Sequence, residues 1–397
     1  MITNRDIIVV GQQPWDVEIG SNCKNIAEEF AKHNRVLYVN SPLDRITKWR
    51  GKKDKKIQKR INVIAGKEAG LIQLGENFWN LYPDRLIESI NWIGNQRIFE
   101  WLNKINNKTF AGSIQRAIDQ LGFSNIILFN DNDMFRCFYL ADYIKPLVSI
   151  YYSRDFMLAV DYWKKHGEKL EPELIAKSSL CVTNSTYLAD YCKKYNPHSY
   201  YVGQGCELAI FMDYTGTYIP DDIAFIQKPI IGYVGALLGL RLDISLLETI
   251  AAERPSWQIV LVGPEDEAFK ASKLHQYKNV YFLGAKAPDE LPAYIEAFDI
   301  CLNPQVISEV TVGNYPRKID EYLAMGKPVV ATSTPFMEAV FSEHTYLGLT
   351  ASDYIKLIEK ALVENNIAKQ LARKNFAASH TWENSVKAIY TAIEQVI

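Results

Sequence analysis

Two short apolar runs flanking one amphipathic stretch at the start of the chain restrict the fold more than any other feature. Ile7-Ile8-Val9-Val10 is followed by a loop holding Gly11 and Pro14, and then by Ser21 as an N-cap ahead of Ile26, Ala27, Phe30 and Ala31; Val36-Leu37-Tyr38-Val39 completes the series. β-Branched runs favour strand, and apolar residues three and four apart favour one face of a helix. Strand, helix, strand in that order is a βαβ unit, which builds a parallel sheet through a right-handed crossover.

The pattern continues along the chain. Leu86, Ile90, Ile93, Trp101 and Ile105 mark a long amphipathic stretch whose helix ends near Gly122, and strands are expected at 126–129, 147–152, 180–183 and 200–202. Six strands separated by helices fill one doubly wound domain. Residues 203–229 carry Gly203, Gly205, Gly216, Pro220 and Pro229 with little periodicity and read as a linker. A second α/β series follows, with strands at 230–234, 258–262, 280–283, 300–303 and 328–332 and helices over 244–252, 290–297 and 318–325 and from Ala351. A chain of 397 residues has room for about two or three such domains. With 48% hydrophobic and 23% charged residues it is neither a disordered chain nor a small disulfide scaffold.

The net charge of −2 provides no overall field toward nucleic acid, and no nucleic-acid partner is expected. Its distribution is uneven. Arg45, Lys48, Arg50, Lys52, Lys53, Lys55, Lys56, Lys59 and Arg60 stand against the single acid Asp54, so this window carries +8 and the rest of the chain −10. Ile46, Trp49 and Ile57 interleave the charges, as in segments that lie on membranes, although a solvated loop accommodates the same residues. The six cysteines never reach C-x-x-C spacing and the histidines form no H-E-x-x-H pair, so no structural zinc site is expected. No apolar run has signal-peptide or transmembrane length, and the expectation is a reducing cytoplasm with thiols packed as small apolar groups.

Two common nucleotide chemistries are disfavoured. The first loop, Gly11-Gln12-Gln13-Pro14-Trp15, lacks the G-x-G-x-x-G that brings a pyrophosphate to a helix N-terminus, and Ala324-Met325-Gly326-Lys327-Pro328 has Pro where a P-loop needs Ser or Thr. Open parallel sheets bind ligands beyond the carboxyl ends of their strands, and the most informative segment of that kind runs from Asn314 to Thr332. Pro316 suits a first helical turn, and Gly326 with Pro328 ends the helix. Lys318 adds charge to the positive helix end, where a diphosphate can sit. Glu321, about a turn later, can accept hydrogen bonds from two ribose hydroxyls, or pair with Lys318 at i, i+3.

The string P-x-K-x-x-E-Y-L-A-x-G-K-P-V-V resembles the donor-site helix of GT-B glycosyltransferases, especially family four and its relatives that make bacterial cell-surface polysaccharides of the teichuronic-acid type. The loop from Gly235 to Asp243 resembles the glycine loop opening that family's second domain. Gly205-Cys206-Glu207 with Phe211 resembles its interdomain crossing, and Thr381-Trp382-Glu383 its terminal helix. The resemblance implies an α/β chain of two facing Rossmann-like, doubly wound domains with a deep interdomain cleft. Residues 1–206 would bind acceptor and 207–380 the nucleotide-sugar, with 381–397 returning to the first domain. Lys318 and Arg241 would bind the donor diphosphate, Gly235 would permit its close approach, and Glu321 would bind the ribose.

One departure from the family pattern bears on stereochemistry. The family's Glu, seven residues, Glu spacing places its first Glu at 313, where this chain has Gly313, so an inverting mechanism gains weight. Inversion needs a general base on the acceptor side. Asp155, just past the strand ending at Tyr152, is the candidate, with capping of the next helix as the alternative. His166 is read as a surface histidine. The expected activity is hexosyl-type transfer from a UDP-sugar to a lipid-linked or polysaccharide acceptor of bacterial surface glycan, with no cofactor and no metal. The basic window would rest on the inner face of the plasma membrane. A UDP-sugar 2-epimerase and an inactive pseudo-transferase subunit are the alternatives.

Overall fold

The computed structural model describes residues 1–17, 20–51, 53–216, 218–309 and 311–397. They form two compact units, Met1–Gly205 with Trp382–Ile397, and Cys206–Thr381.

The first unit is built on β1 (Asp6–Val10), β2 (Arg35–Val39), β3 (Leu71–Gly75), β4 (Phe78–Leu81), β5 (Ile127–Asp131), β6 (Val148–Ser153), β7 (Leu180–Thr183) and β8 (Ser199–Tyr201), in the order β3-β4-β2-β1-β5-β6-β7-β8. β1 is buried along its whole length between its parallel neighbours, Ile7 facing Val36 on one side and Ile127 on the other. Side chains alternate across a strand. Ile7 and Val9 therefore pack with Ile26, Phe30, Val386 and Ile389, while Ile8 and Val10 pack with Phe110 and Ile114 on the opposite face. The helix Trp382–Glu394 is thus part of the first unit's core, and Asn34 Nδ2 donates to Tyr390 OH at 2.9 Å.

The second unit holds β9 (Ile230–Val234), β10 (Gln258–Val262), β11 (Val280–Gly284), β12 (Ile300–Asn303), β13 (Val329–Thr332) and β14 (Tyr346–Gly348) in the order β11-β10-β9-β12-β13-β14, all parallel. In both sheets the strand order reverses beside the first strand, and ligand sites of open α/β sheets form at such points.

Four expectations change. The basic window is no continuous loop: Asp44 and Asp54 cap the helices Arg45–Arg50 and Lys55–Ile64. Residues 203–229 are no free linker either, because Leu208, Phe211, Ile223 and Ile226 enter the second unit's core. The amphipathic stretch is helical only over Gln96–Leu121, and it buries Phe99, Asn103, Asn106, Asn107 and Phe110 while exposing Trp101 and Ile105. Amides on the inner face explain the inversion: Asn106 bonds both the N–H and the C=O of Glu88, and Asn107 bonds Phe135 O and Tyr139 N. His166 is buried rather than exposed, stacked on Phe99 at 3.6 Å with Nδ1 3.0 Å from Gln96 Oε1, and burial holds its imidazole below the ordinary value. The six cysteines are buried and free.

Glu171, 1% exposed, gives the first unit a pH-dependent weakness. It accepts from Tyr151 OH at 2.6 Å and Tyr191 OH at 3.2 Å, yet burial pushes its carboxyl from 4.5 up to about 6. The folded state therefore holds the proton more tightly than the unfolded one. The resulting cost is absent below about pH 4.5 and reaches about 2 kcal/mol above pH 6. Glu171→Gln keeps an oxygen to accept from Tyr151 OH, turns an amide N–H toward the Tyr191 oxygen, which can accept it, and removes the charge, so melting curves are expected to show it more stable than the parent at about pH 8 and equal to it near pH 4. Equal melting at both pH values would refute this account.

Candidate functional site

In the second unit, three elements meet at the carboxyl end of β9. Gly235 follows that strand with φ +144°, a conformation for which glycine is suited, and a Cβ there would lie 2.8 Å from Tyr233 OH. Gly263, after β10, packs so closely that its own Cβ would lie 1.9 Å from Gly235 O. The helix Arg317–Ala324, with Pro316 at its N-cap, is fastened to the same strand end by Tyr322, whose buried hydroxyl accepts from Val234 N at 2.8 Å. The loop bearing Arg241 is tied to the segment leading into this helix, since Val306 N donates to Arg241 O at 2.8 Å and Leu242 bridges Gln305.

This convergence sets the electrostatics. Burial pushes the Tyr233 phenol up to about 12; Arg241 draws it down and Glu321 raises it, so both charges act on one hydroxyl beside Gly235. Lys318 Nζ lies 2.8 Å from Glu321 Oε2, with their side chains 29% and 11% exposed, so the two form the i, i+3 pair. Arg241 is exposed. Asn303 ends β12 on the same edge of the sheet, 7% exposed, with no partner for Nδ2 among the described residues. Sequence reasoning missed Tyr233, Tyr322 and Asn303. The Glu-Tyr of the helix motif was a signal for Tyr322, whereas nothing local distinguishes Tyr233 or Asn303 from core residues.

In the first unit, Asp155 lies two residues beyond β6. Arg154 joins it to β5, donating from Nη1 to Asp155 Oδ2 at 2.6 Å and from Nε to Asp131 Oδ1 at 2.8 Å. Asp131 is fully buried, and its charge, with that of Asp155, holds the Arg154 guanidinium in its charged form. The Asp155 carbonyl accepts from Met157 N at 2.9 Å and Asn132 Nδ2 at 3.0 Å. The next helical turn, the 3-10 segment Met157–Ala159, has Phe156 at its N-cap, and the helix Asp161–Lys177 has Val160, so Asp155 occupies neither position. Its side chain is 44% exposed.

The basic window divides. Arg60 is buried against Asp16 at 3.0 Å, Lys59 donates to Tyr82 OH at 3.3 Å, and Arg45 pairs with Glu88 at 2.7 Å. Arg50, Lys53, Lys55 and Lys56 are exposed, Lys48 is half-buried and Trp49 is 72% exposed. Lys52 lies outside the described residues. Among the described residues no helix is long and apolar enough to cross a membrane, and no three His, Cys, Asp or Glu side chains are grouped to hold a metal ion.

Residues 228–365 match the family model described as "Glycosyl transferases group 1". The matched stretch lies within the second unit. Gly235, Arg241, Lys318 and Glu321 all fall inside the matched stretch. Over 177 residues the chain is 30% identical to "Putative teichuronic acid biosynthesis glycosyltransferase TuaH" of Bacillus subtilis strain 168, a match spanning 42% of this chain and less than half, 44%, of that protein. Similar solved structures cover the whole chain. Sucrose-phosphate synthase of Thermosynechococcus elongatus is 15% identical with a TM-score of 0.65, each chain being 99% covered. HepE of Anabaena in complex with UDP and glucose is 14% identical with a TM-score of 0.62, covering 99% of this chain and 100% of that one. An α,α-trehalose 6-phosphate synthase of Burkholderia multivorans is 10% identical with a TM-score of 0.65, covering 100% and 97%. At such identities the likeness shows the fold, which is GT-B, and the stretch matched by the family model lies in its second half.

Proposed function

We propose that the chain transfers a sugar from a nucleoside diphosphate-sugar, UDP-linked, to a glycan acceptor in the synthesis of a bacterial surface polysaccharide. One observation carries the reading: within the matched stretch, Tyr322 fastens the helix bearing Lys318 and Glu321 to the backbone immediately before Gly235. Lys318, Arg241 and the helix N-terminus would meet the diphosphate, and Glu321 the ribose hydroxyls, at the carboxyl end of β9. UDP is supported by the HepE complex, and the glycan class by the printed name of the teichuronic acid relative. In the reaction, the Asp155 carboxylate takes the proton of an acceptor hydroxyl as that oxygen bonds to the anomeric carbon. The bond from that carbon to the diphosphate oxygen breaks, and the nucleoside diphosphate leaves with the electron pair. Gly313 in place of the family's Glu favours inversion, and the reading calls for no resident metal or organic cofactor. Binding of a UDP-sugar should raise the melting temperature, because a ligand of the folded state stabilises it. Sugar should then appear on an added glycan acceptor. Epimer formation from the UDP-sugar alone would overturn the reading in favour of an epimerase, and binding without turnover on any acceptor would favour an inactive subunit.

The same proposal places the exposed basic residues of the first unit against an anionic membrane that carries a lipid-linked acceptor. Trp49 projects beside Arg50, with Lys53 exposed ahead of the next helix and Lys55 and Lys56 exposed in its first turn. Each such charge contributes about 1 kcal/mol near an anionic surface. Replacing Lys48, Lys53, Lys55 and Lys56 with Gln is expected to abolish most co-sedimentation with anionic vesicles at low salt, with a smaller effect as salt screens the charges. Equal binding of the parent protein to neutral and anionic vesicles would point to a soluble acceptor instead.

A further inference from the structure

The chain leaves the first unit after Gly205 and returns to it at Trp382, and the two crossing segments run together. Gly205 packs so closely on the Trp382 ring that a Cβ would overlap it, and a step farther Cys206 N donates to His380 O at 3.0 Å. Asp320, in the helix Arg317–Ala324, meets both segments. Its carboxylate is fully buried and accepts from His380 Nδ1 at 2.6 Å, Tyr315 OH at 2.7 Å and Cys206 Sγ at 3.1 Å. Burial and the charge of Asp320 push the Cys206 thiol well above its ordinary value, so it keeps its proton and donates. Phe341 and Phe376 pack edge-on against the His380 ring, with centroids at 5.8 and 4.6 Å.

A charged group is a costly choice for this position. Ile319, Leu323 and Ala324 of the same helix fill the second unit's core with apolar groups. An apolar residue at 320 would extend that packing without burying a charge, and a buried ion pair contributes little net stability by comparison. What a fully satisfied set of directional bonds supplies, and apolar packing does not, is one fixed arrangement. The residue that benefits is Glu321. Asp320 and Tyr322 stand about 100° to either side of it around the helix. One is fastened to the crossing segments and the other to Val234 N, so Glu321 and its ion-pair partner Lys318 are held from both sides. We propose that Asp320 is a positioning residue of the donor site, with His380 as its partner: together they fix how the helix presents Lys318 and Glu321 to the nucleotide. The inference rests on the donor-site reading of those two residues.

Calorimetry on the full chain with UDP and GDP as probes, well below the melting transition, tests it. Asp320→Ala and His380→Ala are each expected to weaken nucleotide binding about tenfold, and the double variant no further, since both remove one coupling. His380→Asn, whose side-chain N–H can stand where the imidazole Nδ1–H stood, should restore most of the affinity. Coupling between two sites is reciprocal, so nucleotide binding should also shift the ring ¹⁵N signals of His380, assigned by their loss in His380→Ala. A purely structural role would lower the melting temperature of these variants and move neither the affinity of the folded protein nor those signals. Should Asp320→Ala not fold, the two His380 variants, at a side chain 16% exposed, carry the test. The proposal is overturned if His380→Ala binds nucleotide as tightly as the parent, if His380→Asn is as weak as His380→Ala, or if the ring signals stay fixed. Undiminished binding in these variants leaves the donor reading intact, whereas a parent that binds neither nucleotide sinks both. Binding of GDP alone, weakened by the same variants, would overturn the UDP reading and leave the positioning role standing.

Discussion

Asp155→Asn is expected to lower turnover by about 10²- to 10⁴-fold while leaving the affinity for UDP unchanged, because a general base contributes that much and an amide cannot accept the proton. The substitution keeps the main-chain contacts of this loop. Asp155 contacts Met157 and Asn132 through its main-chain carbonyl, which Asn retains, and Arg154 keeps its bond to Asp131. The substitution removes the charge of the carboxylate whose Oδ2 lies 2.6 Å from Arg154 Nη1. Steady-state kinetics with a UDP-sugar and a glycan acceptor, set beside UDP calorimetry and a melting curve, separate two roles. A fall in turnover at constant binding and stability identifies the base. A fall in stability at constant turnover identifies Asp155 as a positioning group for Arg154, and the base then lies elsewhere.

Lys318→Ala and Glu321→Ala should each weaken UDP binding by about 1.5–3 kcal/mol, roughly ten- to more than a hundredfold, as expected when a charged hydrogen-bond partner is lost. The two variants should differ in stability. Glu321 is 9% exposed and Lys318 is its ion-pair partner at 2.8 Å, so removing the lysine leaves a nearly buried carboxylate without its cation. Removing the glutamate leaves a lysine that is more exposed and able to reach solvent. Lys318→Ala is therefore expected to melt lower than Glu321→Ala, and the double variant to melt above the sum of the two losses, the signature of a coupled pair. Calorimetry showing undiminished UDP affinity in both single variants would remove this helix from the donor site.

Local patterns in the sequence determined a large part of the architecture. β-Branched apolar runs are strands because every residue in them can be buried, and the alternation of such runs with helical spacing leads to two parallel α/β units. Pro316 and Gly326 bound the short helix at Lys318 for equally local reasons, the fixed φ of one and the left-handed φ of +74° of the other. The spacing also placed Lys318 and Glu321 one turn apart on that helix.

Tertiary structure decided the rest. β3 and β4 form a hairpin at the sheet edge, where the last three residues of β3 are exposed although Leu71, Ile72 and Leu74 are apolar. The helix Gln96–Leu121 turned its Asn-rich face inward because distant loops needed hydrogen bonds, an advantage that hydrophobicity along one segment does not encode. His166 is buried for a related reason, having an aromatic ring to stack on and a glutamine to bond, both about seventy residues away. At the donor site, Tyr322 meets Val234 across 88 residues and Gly263 meets Gly235 backbone to backbone. Periodicity reports which face of an element is apolar; which polar groups find one another depends on where the chain returns, and that is settled only when the sheets assemble.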